Sequence, residues 1–312
     1  MKKIHCSAIN RKLSTDARAF IHKNELYYKT QIETIANSIA ESRGEKPIIL
    51  LAGPSGSGKT TTALRLEQYL DMNGMETHTI SMDNYFLPLD EATAERNADG
   101  TINFESPSRV DIELLNKHMK LLSEGEEVEI PAFDFTRQDR APQGRKLKRK
   151  PNELIIFEGI HALNPDVTGD NEDIANCVYV SVRTRLEARD GRILHPSHIR
   201  LMRRIIRDKL FRARSCEATI SMFRSVERGE NEYIMPFKKR SQYSIDTFMY
   251  YEPSVYREYL LDDLRGARGK VGDFEGLDLM IEVLEEMESV DPDCVPGTSL
   301  VREFVGGSEL EY

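Results

Sequence analysis

The feature that most constrains this chain is a glycine-rich octapeptide between an apolar run and a helical segment. Residues 53–60 read Gly-Pro-Ser-Gly-Ser-Gly-Lys-Thr, which fits the spacing G-x-x-x-x-G-K-[ST] of a phosphate-binding loop. The apolar run at 47–52 suits a buried parallel strand, and residues 60–70 have the pattern of a helix. The N-terminus of that helix faces the loop, where its dipole favours anions. The sequence therefore predicts a strand–loop–helix unit that binds a nucleoside triphosphate, ATP or GTP.

Within this loop, two side chains have chemical roles beyond shape. Lys59 can reach the β- and γ-phosphates, and the Thr60 hydroxyl can bind Mg²⁺. The residues predicted to contact the nucleotide are Gly53, Ser55, Gly56, Ser57, Gly58, Lys59, Thr60 and Thr61. A glycine-rich turn that binds no ligand is the alternative.

Two later strands are predicted to end in an acidic residue close to the loop. Residues 76–81 lead to Asp83, and residues 153–158 end in Glu158. In open α/β sheets, ligands bind at the carboxyl ends of the strands. Asp83 is the candidate general base that accepts the proton of an acceptor hydroxyl, or else a Mg²⁺ or water ligand or the cap of the next turn. Glu158 is the candidate Mg²⁺ carboxylate, or else a surface residue at a strand end.

An arginine-rich segment near residue 200 predicts a helix that could cover a triphosphate. Four arginines follow the i, i+3, i+4, i+7 spacing of one helical face: Arg200, Arg203, Arg204 and Arg207. An apolar stripe lies on another face: Met202, Ile206 and Leu210. We interpret the segment as a lid that packs on the body and presents cations to phosphates, with Arg204 and Arg207 in catalytic roles. A solvated basic face and a nucleic-acid contact are the alternatives.

These blocks, in this order, resemble the uridine kinase family, within the wider group that includes phosphoribulokinase. The resemblance spans roughly residues 47–240 and rests on six blocks: 53–60, 81–85, 103–107, 131–135, 155–160 and 203–208. It implies an α/β P-loop kinase fold, with a parallel β-sheet flanked by helices, an arginine-rich lid helix and extra N- and C-terminal segments. The activity it implies is ATP- and Mg²⁺-dependent phosphorylation of the 5′-hydroxyl of a pyrimidine nucleoside. Residues 299–308 are similar to the tail of a bacterial branch of these nucleoside kinases.

The resemblance also implies an acceptor pocket. Asp83 matches the general base, and the further residues expected to bind substrate are Tyr85, Phe104, Glu105, Phe133, Gln138, Arg204 and Arg214. Among them, Phe104 and Glu105 match residues that pack and hold the ribose.

The chain departs from the family pattern in this pocket. Glu105 stands where Asp is usual, Phe133 where Tyr is usual, and Gln138 where a histidine reads the pyrimidine edge. Residues 211–214 differ from the usual Glu-Arg-Gly-Arg. The sequence therefore predicts a ribonucleoside kinase with an open choice of base. A kinase for another hydroxyl acceptor, such as a sugar phosphate, and a non-catalytic nucleotide-binding regulator are the alternatives.

Composition agrees with a small anionic ligand rather than a polymer. The 312-residue chain carries a net charge of −9, which argues against a general nucleic-acid binder. Its four cysteines lack C-x-x-C spacing, which indicates a reducing compartment. We see no signal peptide and no apolar run of membrane-spanning length, so the prediction is a cytoplasmic protein without a membrane partner.

The chain divides into a kinase body with two additions. Residues 1–46 form a predicted helical extension, with its helix at 15–42, that packs on the body or on a second subunit of a homo-oligomer. Residues 47–245 carry the kinase blocks, with an exposed hairpin arm at 145–150. Residues 246–312 are expected to add a last strand at 246–251, an acidic helix at 276–289 and a tail.

Overall fold

The computed structural model of the chain describes residues 2–272 and 274–311. The helices in these ranges are α1 (Cys6–Ser42), α2 (Lys59–Met72), α3 (Ile112–Ser123), α4 (Pro165–Thr168), α5 (Pro196–Arg212), α6 (Cys216–Tyr233), α7 (Glu252–Ala267), α8 (Leu277–Glu286) and α9 (Arg302–Val305). The strands are β1 (Lys3–His5), β2 (Ile48–Ala52), β3 (Thr77–Ser81), β4 (Glu127–Ile130), β5 (Phe133–Asp134), β6 (Asp139–Arg140), β7 (Arg145–Lys148), β8 (Leu154–Gly159), β9 (Ala175–Ser181), β10 (Arg185–Glu187), β11 (Ile193–Leu194) and β12 (Tyr243–Asp246). Among the described helices, we find none that combines the length and apolarity needed to cross a membrane.

The centre of the fold is a five-stranded parallel sheet in the order β12-β9-β2-β8-β3. Every residue of β2 and of β8 is buried, as expected for strands covered on both faces by helices. Because the strands are parallel, the carboxyl ends of β2, β3 and β8 lie at one edge of the sheet. The phosphate loop, Asp83 and Glu158 therefore share that edge. The predicted α/β fold, a parallel sheet flanked by helices, is confirmed.

Near the loop, the observed strand and helix boundaries lie within one or two residues of the predicted ones. The last strand lies elsewhere than predicted. The sequence predicts it at 246–251, whereas β12 spans Tyr243–Asp246 and pairs with β9. The residues that follow are buried by helix packing instead, and Tyr251 directly precedes α7. An aromatic run can be buried in either way, so its composition could not distinguish them. The expected boundary at 245/246 therefore falls inside β12, an edge strand of the central sheet.

The N-terminal helix packs on the central α/β body. Helical residues begin at Cys6 rather than at 15, and non-helical angles at Asp16 (φ −162°, ψ 96°) divide α1 into two parts. The Asp16 carboxylate accepts a hydrogen bond from the Ala19 N–H at 2.9 Å, so it caps the second part, which matches the predicted helix. Tyr28 of this part is buried and lies 2.7 Å from the Thr62 hydroxyl of α2. The extension thus supports the helix that follows the phosphate loop.

The basic run at 145–150 forms the predicted hairpin arm. β7 pairs antiparallel with β4, in a register that places Arg145 opposite Ile130 and Lys148 opposite Glu127.

The expectation that four arginines of α5 face phosphates is wrong for two of them. Arg203 is fully buried and forms a bidentate ion pair with Glu252, at 2.7 and 2.9 Å. Arg200 is also buried, and it pairs with Glu230. Helix α5 lies beneath the phosphate loop and against α7. Most of its circumference is therefore buried, and arginines on its inner faces meet protein rather than solvent. The same spacing that predicts one shared face cannot tell whether that face meets solvent or protein.

Replacing Arg203 with methionine should destabilise the protein by about 3–5 kcal/mol, because Glu252 would remain buried without its partner. Chemical denaturation of the purified variant measures this free energy of unfolding. Arg265→Met is the matched control, since Arg265 and its partner Glu285 are both exposed. The control should unfold at the wild-type midpoint, and an equally small change for Arg203→Met would contradict the structural role.

Candidate active site

The phosphate loop is shaped by glycines at positions that exclude a side chain. A Cβ atom on Gly53 would lie 2.1 Å from the Val180 carbonyl oxygen. Gly56 and Gly58 have φ angles of 74° and 82°, and Gly58 is the N-cap of α2. These constraints allow the chain to turn sharply from β2 into α2, with the helix N-terminus at the ligand side.

Three carbonyl groups of the loop are bound by the protein body. Arg200 donates to the Ser55 oxygen at 3.0 Å, and Arg203 donates to the Gly56 oxygen at 3.0 Å. The Thr247 hydroxyl donates to the Ser57 oxygen at 2.7 Å. With their carbonyls held from behind, the peptide groups of the loop can direct N–H groups toward an anion.

Lys59 and Thr60 converge on Glu158 at the end of β8. The Lys59 Nζ atom lies 3.9 Å from Glu158 Oε1, and the Thr60 hydroxyl lies 3.5 Å from the same oxygen. Burial raises the pKa of Glu158 to about 7, against the effect of Lys59 and with a further contribution from Asp83. The Thr60 hydroxyl and the Glu158 carboxylate together offer oxygen ligands of the kind that Mg²⁺ prefers. Lys59 compensates the charge of this carboxylate only in part.

Asp83 follows β3 in a short turn, Met82–Tyr85, that is capped by the side chain of Ser81. The capping role that the sequence left open for Asp83 is therefore taken by Ser81. Burial raises the pKa of the Asp83 carboxyl, while Lys59 and Arg212 lower it. The carboxyl thus lies within the electrostatic field of the loop lysine and of an arginine at the end of α5.

Glu105 approaches the same place from a separate loop. A Cβ atom on Gly229 of α6 would lie 2.3 Å from the Glu105 Cβ, so the loop packs closely on that helix. Burial raises the pKa of Glu105, Arg204 and Lys59 lower it, and Asp83 raises it further. Four charged side chains from distant parts of the sequence therefore interact electrostatically: Lys59, Asp83, Glu105 and Arg204.

Arg204 is the arginine of α5 that belongs to this cluster. It is 6% exposed, it contacts the Ser55 hydroxyl, and its Nε atom has no hydrogen-bond partner within residues 2–272 and 274–311. Burial lowers its pKa to about 10, and Arg207 contributes in the same direction. Arg204 remains protonated at neutral pH, and its charge is opposed by Glu105.

Arg207 and Arg214 lie beside Arg212 around the buried carboxylate of Asp208. Their closest nitrogen–oxygen distances to Asp208 are 3.2, 2.9 and 3.4 Å for Arg207, Arg214 and Arg212, respectively. All three keep part of their side chains exposed, so the cluster offers positive charge at the end of α5. The sequence selected Arg207 and Arg214 but missed Arg212, although its position four residues after Asp208 is a signal for such a pair.

The predicted substrate contact of Tyr85 is wrong. Its side chain is fully buried, and its hydroxyl lies 3.1 Å from His118 Nδ1 in the core. Tyr85 occupies the inward side of the turn, in which Asp83 is only partly buried. Phe104, by contrast, is 47% exposed.

Phe133 belongs to an aromatic group with Phe86 and Phe135. Its ring centroid lies 5.7 Å from Phe86 and 5.2 Å from Phe135, both in edge-on geometry. Gln138 adopts a positive φ of 52° and donates through Nε2 to the Phe135 carbonyl at 2.8 Å. Gln138 thus helps to hold the β5–β6 hairpin that carries Phe133.

Two residues near the cluster were not among the predicted site residues. His161 is 3% exposed, and burial lowers its pKa to about 4, so the imidazole is neutral at physiological pH. Glu303, in the C-terminal segment, accepts a hydrogen bond from the Thr61 hydroxyl at 2.5 Å. Only the three-dimensional contact reveals Glu303, because it is more than 200 residues away from the loop in sequence.

The comparisons with known proteins agree with this geometry. The chain is 31% identical to a uridine kinase of Staphylococcus haemolyticus over 196 residues, which cover 62% of this chain and 83% of that protein. It is 30% identical to a uridine kinase of Halobacterium salinarum over 192 residues, covering 61% and 76% of the two chains. A crystal structure of a putative fructose transport system kinase from Silicibacter sp. TM1040 superimposes with a TM-score of 0.50 at 16% identity. That alignment covers 68% of this chain and 98% of the other, and it shows a shared fold.

The sequence profile of the Phosphoribulokinase / Uridine kinase family matches residues 48–250, a range that includes the loop, Asp83, Glu105, Glu158 and Arg204. This chain belongs to the phosphoribulokinase/uridine kinase family of P-loop kinases.

Proposed function

We propose that the protein transfers the γ-phosphoryl group of ATP or GTP, together with Mg²⁺, to the 5′-hydroxyl of a ribonucleoside. The observation that carries this proposal is the position of Asp83 at the sheet edge that carries the phosphate loop, together with Glu105, whose carboxyl interacts electrostatically with Arg204, Lys59 and Asp83. A protein that only binds a nucleotide needs the loop, but it does not need two carboxylates on the acceptor side. The uridine kinases among its relatives support a nucleoside as the acceptor.

On the donor side, the N–H groups of the loop would bind phosphate oxygens, and Thr60 and Glu158 would hold the metal. Mg²⁺ supplies charge neutralisation at the transferred phosphoryl group. Lys59 and Arg204 add fixed positive charge, in a partly buried site where such charges act strongly.

On the acceptor side, Asp83 would accept the proton of the attacking hydroxyl. As the hydroxyl oxygen bonds to the γ-phosphorus, the bond to the leaving nucleoside diphosphate breaks, and the proton moves to the carboxylate. The raised pKa of Asp83 makes it a stronger base than a solvated aspartate.

Recognition of the acceptor would be divided between a sugar contact and an aromatic contact. The Glu105 carboxylate can accept hydrogen bonds from both ribose hydroxyls. The aromatic group of Phe86, Phe133 and Phe135 offers a surface on which any base can pack. Since the Gln138 amide is used to hold the hairpin, we expect weak discrimination among bases.

Lys59→Ala should lower turnover by at least about a hundredfold, the scale of one lost preorganised charge contact in a transition state. Nucleoside diphosphate release at saturating substrates measures the effect. Lys23→Ala, which removes an exposed lysine from α1, is the control and should keep wild-type turnover. Normal turnover in a folded Lys59→Ala variant would contradict the role of the loop.

Asp83→Asn keeps the size of the side chain and removes the proton acceptor, so turnover should collapse while ATP still binds. Binding is measured by calorimetry, and turnover by the same release assay. Asp90→Asn alters an exposed aspartate of the following loop and should have no effect. If Asp83→Asn retains near-normal turnover, another group must accept the proton.

A panel of acceptors tests the function itself. Ribonucleosides with different bases should be phosphorylated, including uridine or cytidine. Their 2′-deoxy analogues should react at no more than about one tenth of that rate, because the Glu105 carboxylate would lose one hydrogen-bond partner. In Glu105→Gln, the ratio of ribo- to deoxyribonucleoside rates should fall toward one. Activity with sugars or sugar phosphates alone would show that the acceptor is of another class, and ATP binding without any accepted hydroxyl would indicate a regulator.

A further inference from the structure

The C-terminal segment, residues 298–306, lies directly against the phosphate loop. Leu300 is fully buried, and a Cβ atom on Gly58 would lie 2.4 Å from its Cδ1 atom. The ring of Phe304 faces the Arg203 guanidinium, with 5.2 Å between the guanidinium carbon and the ring centroid. The segment therefore contacts the loop and the arginine that holds the loop.

From this segment, Glu303 extends its carboxylate to the first turn of α2. Its Oε2 atom accepts from the Thr61 hydroxyl at 2.5 Å and from the Thr61 N–H at 3.4 Å. Its negative charge also contributes to the raised pKa of Glu158. An anion is thus held at the N-terminus of the helix that follows the loop, and its field reaches the candidate metal ligand.

These two donors of Thr61 are in the place where a bound nucleotide needs them. The N–H groups of a phosphate loop and of the adjoining helix turn cradle the α- and β-phosphates. A carboxylate and a phosphate are both anions that accept from N–H and O–H groups. They cannot occupy the same donors together, and their charges repel each other.

We propose that Glu303 competes with the α-phosphate of the donor nucleotide for Thr61, so that nucleotide binding requires Glu303 to turn away. The proposal rests on the proposed nucleoside triphosphate donor. It assigns to the C-terminal segment a role as a built-in competitor that weakens donor binding.

The rest of the segment is anchored, so the movement is confined to one side chain. Arg302 donates to the carbonyls of Pro292 and Val295, at 2.9 and 2.7 Å. The Ser299 hydroxyl lies 2.8 Å from the hydroxyl of Tyr251, which is fully buried. Glu303 itself is only partly buried, so rotation about its side-chain bonds can move its carboxylate away from Thr61.

The test is the affinity for ATP and for ADP, measured by calorimetry without an acceptor. Glu303→Gln keeps the shape and removes the charge, and it should bind both nucleotides about tenfold more tightly, the scale of one charge-assisted hydrogen bond that no longer competes. Glu309→Gln is the matched control, because it removes an exposed carboxylate of the same tail, and its affinity should equal that of the wild type.

Unchanged or weaker binding in Glu303→Gln would overturn the competition while leaving the donor assignment intact. Failure of the wild type and of the variant to bind either ATP or GTP would instead reject the donor, and the competition with it. A crystal structure of the wild-type protein with ADP gives a second test that does not depend on a variant. It should show the α-phosphate on Thr61 and the Glu303 carboxylate turned away. A Glu303 carboxylate that still bonds to Thr61 beside bound ADP would overturn the proposal.

Discussion

A phosphate loop can offer its N–H groups to a ligand only if its carbonyl groups find partners elsewhere. In this protein the partners are two arginines of α5 and the hydroxyl of Thr247, which follows the last core strand. Arg203 is itself fixed by Glu252 at the start of α7. The geometry of the loop thus depends on a buried charge pair between two helices that are far from it in sequence. Uncompensated burial of either charge would cost several kcal/mol, so this arrangement is stable only when both partners are present.

The acidic residues around the loop determine which charged ligands the site can bind. Asp83, Glu105, Glu158 and Glu303 lie near one another, and each of the first three has a raised pKa because of burial. Lys59 and Arg204 compensate them only in part. Such a site gains stability from ligands that bring cations and is sensitive to where each negative charge lies. A metal–nucleotide complex supplies positive charge beside Glu158, and it introduces phosphate charge near Thr61. The positions of these carboxylates are therefore better explained by the needs of a charged ligand than by the stability of the fold alone.

The sequence predicted the parts of the site that depend on local order along the chain. The loop, the strand before it, the acidic residue that follows β3 and the one at the end of β8 can be predicted from spacing and from the rule that parallel strands end at one edge. The errors share a physical origin. Arg203 and Tyr85 have the residue types of a binding site but point into the core, and periodicity specifies a face without specifying what covers it. The strand expected at 246–251 is a buried aromatic segment that packs under helices. The proximity of Glu303 to the loop could not be predicted, because it depends on a contact between distant chain segments for which a single sequence contains no signal.

The attachment of both terminal regions to α2 has a consequence for the dynamics of the site. Terminal segments of most domains fray, and they open at low free-energy cost. Here Tyr28 of α1 lies against Thr62, and Leu300 of the C-terminal segment covers Gly58. Local opening at either terminal region therefore exposes the base of the phosphate loop. We therefore expect these two regions and the first turn of α2 to exchange their amide hydrogens as one cooperative unit, which leaves the phosphate loop no better protected than the segments that cover it.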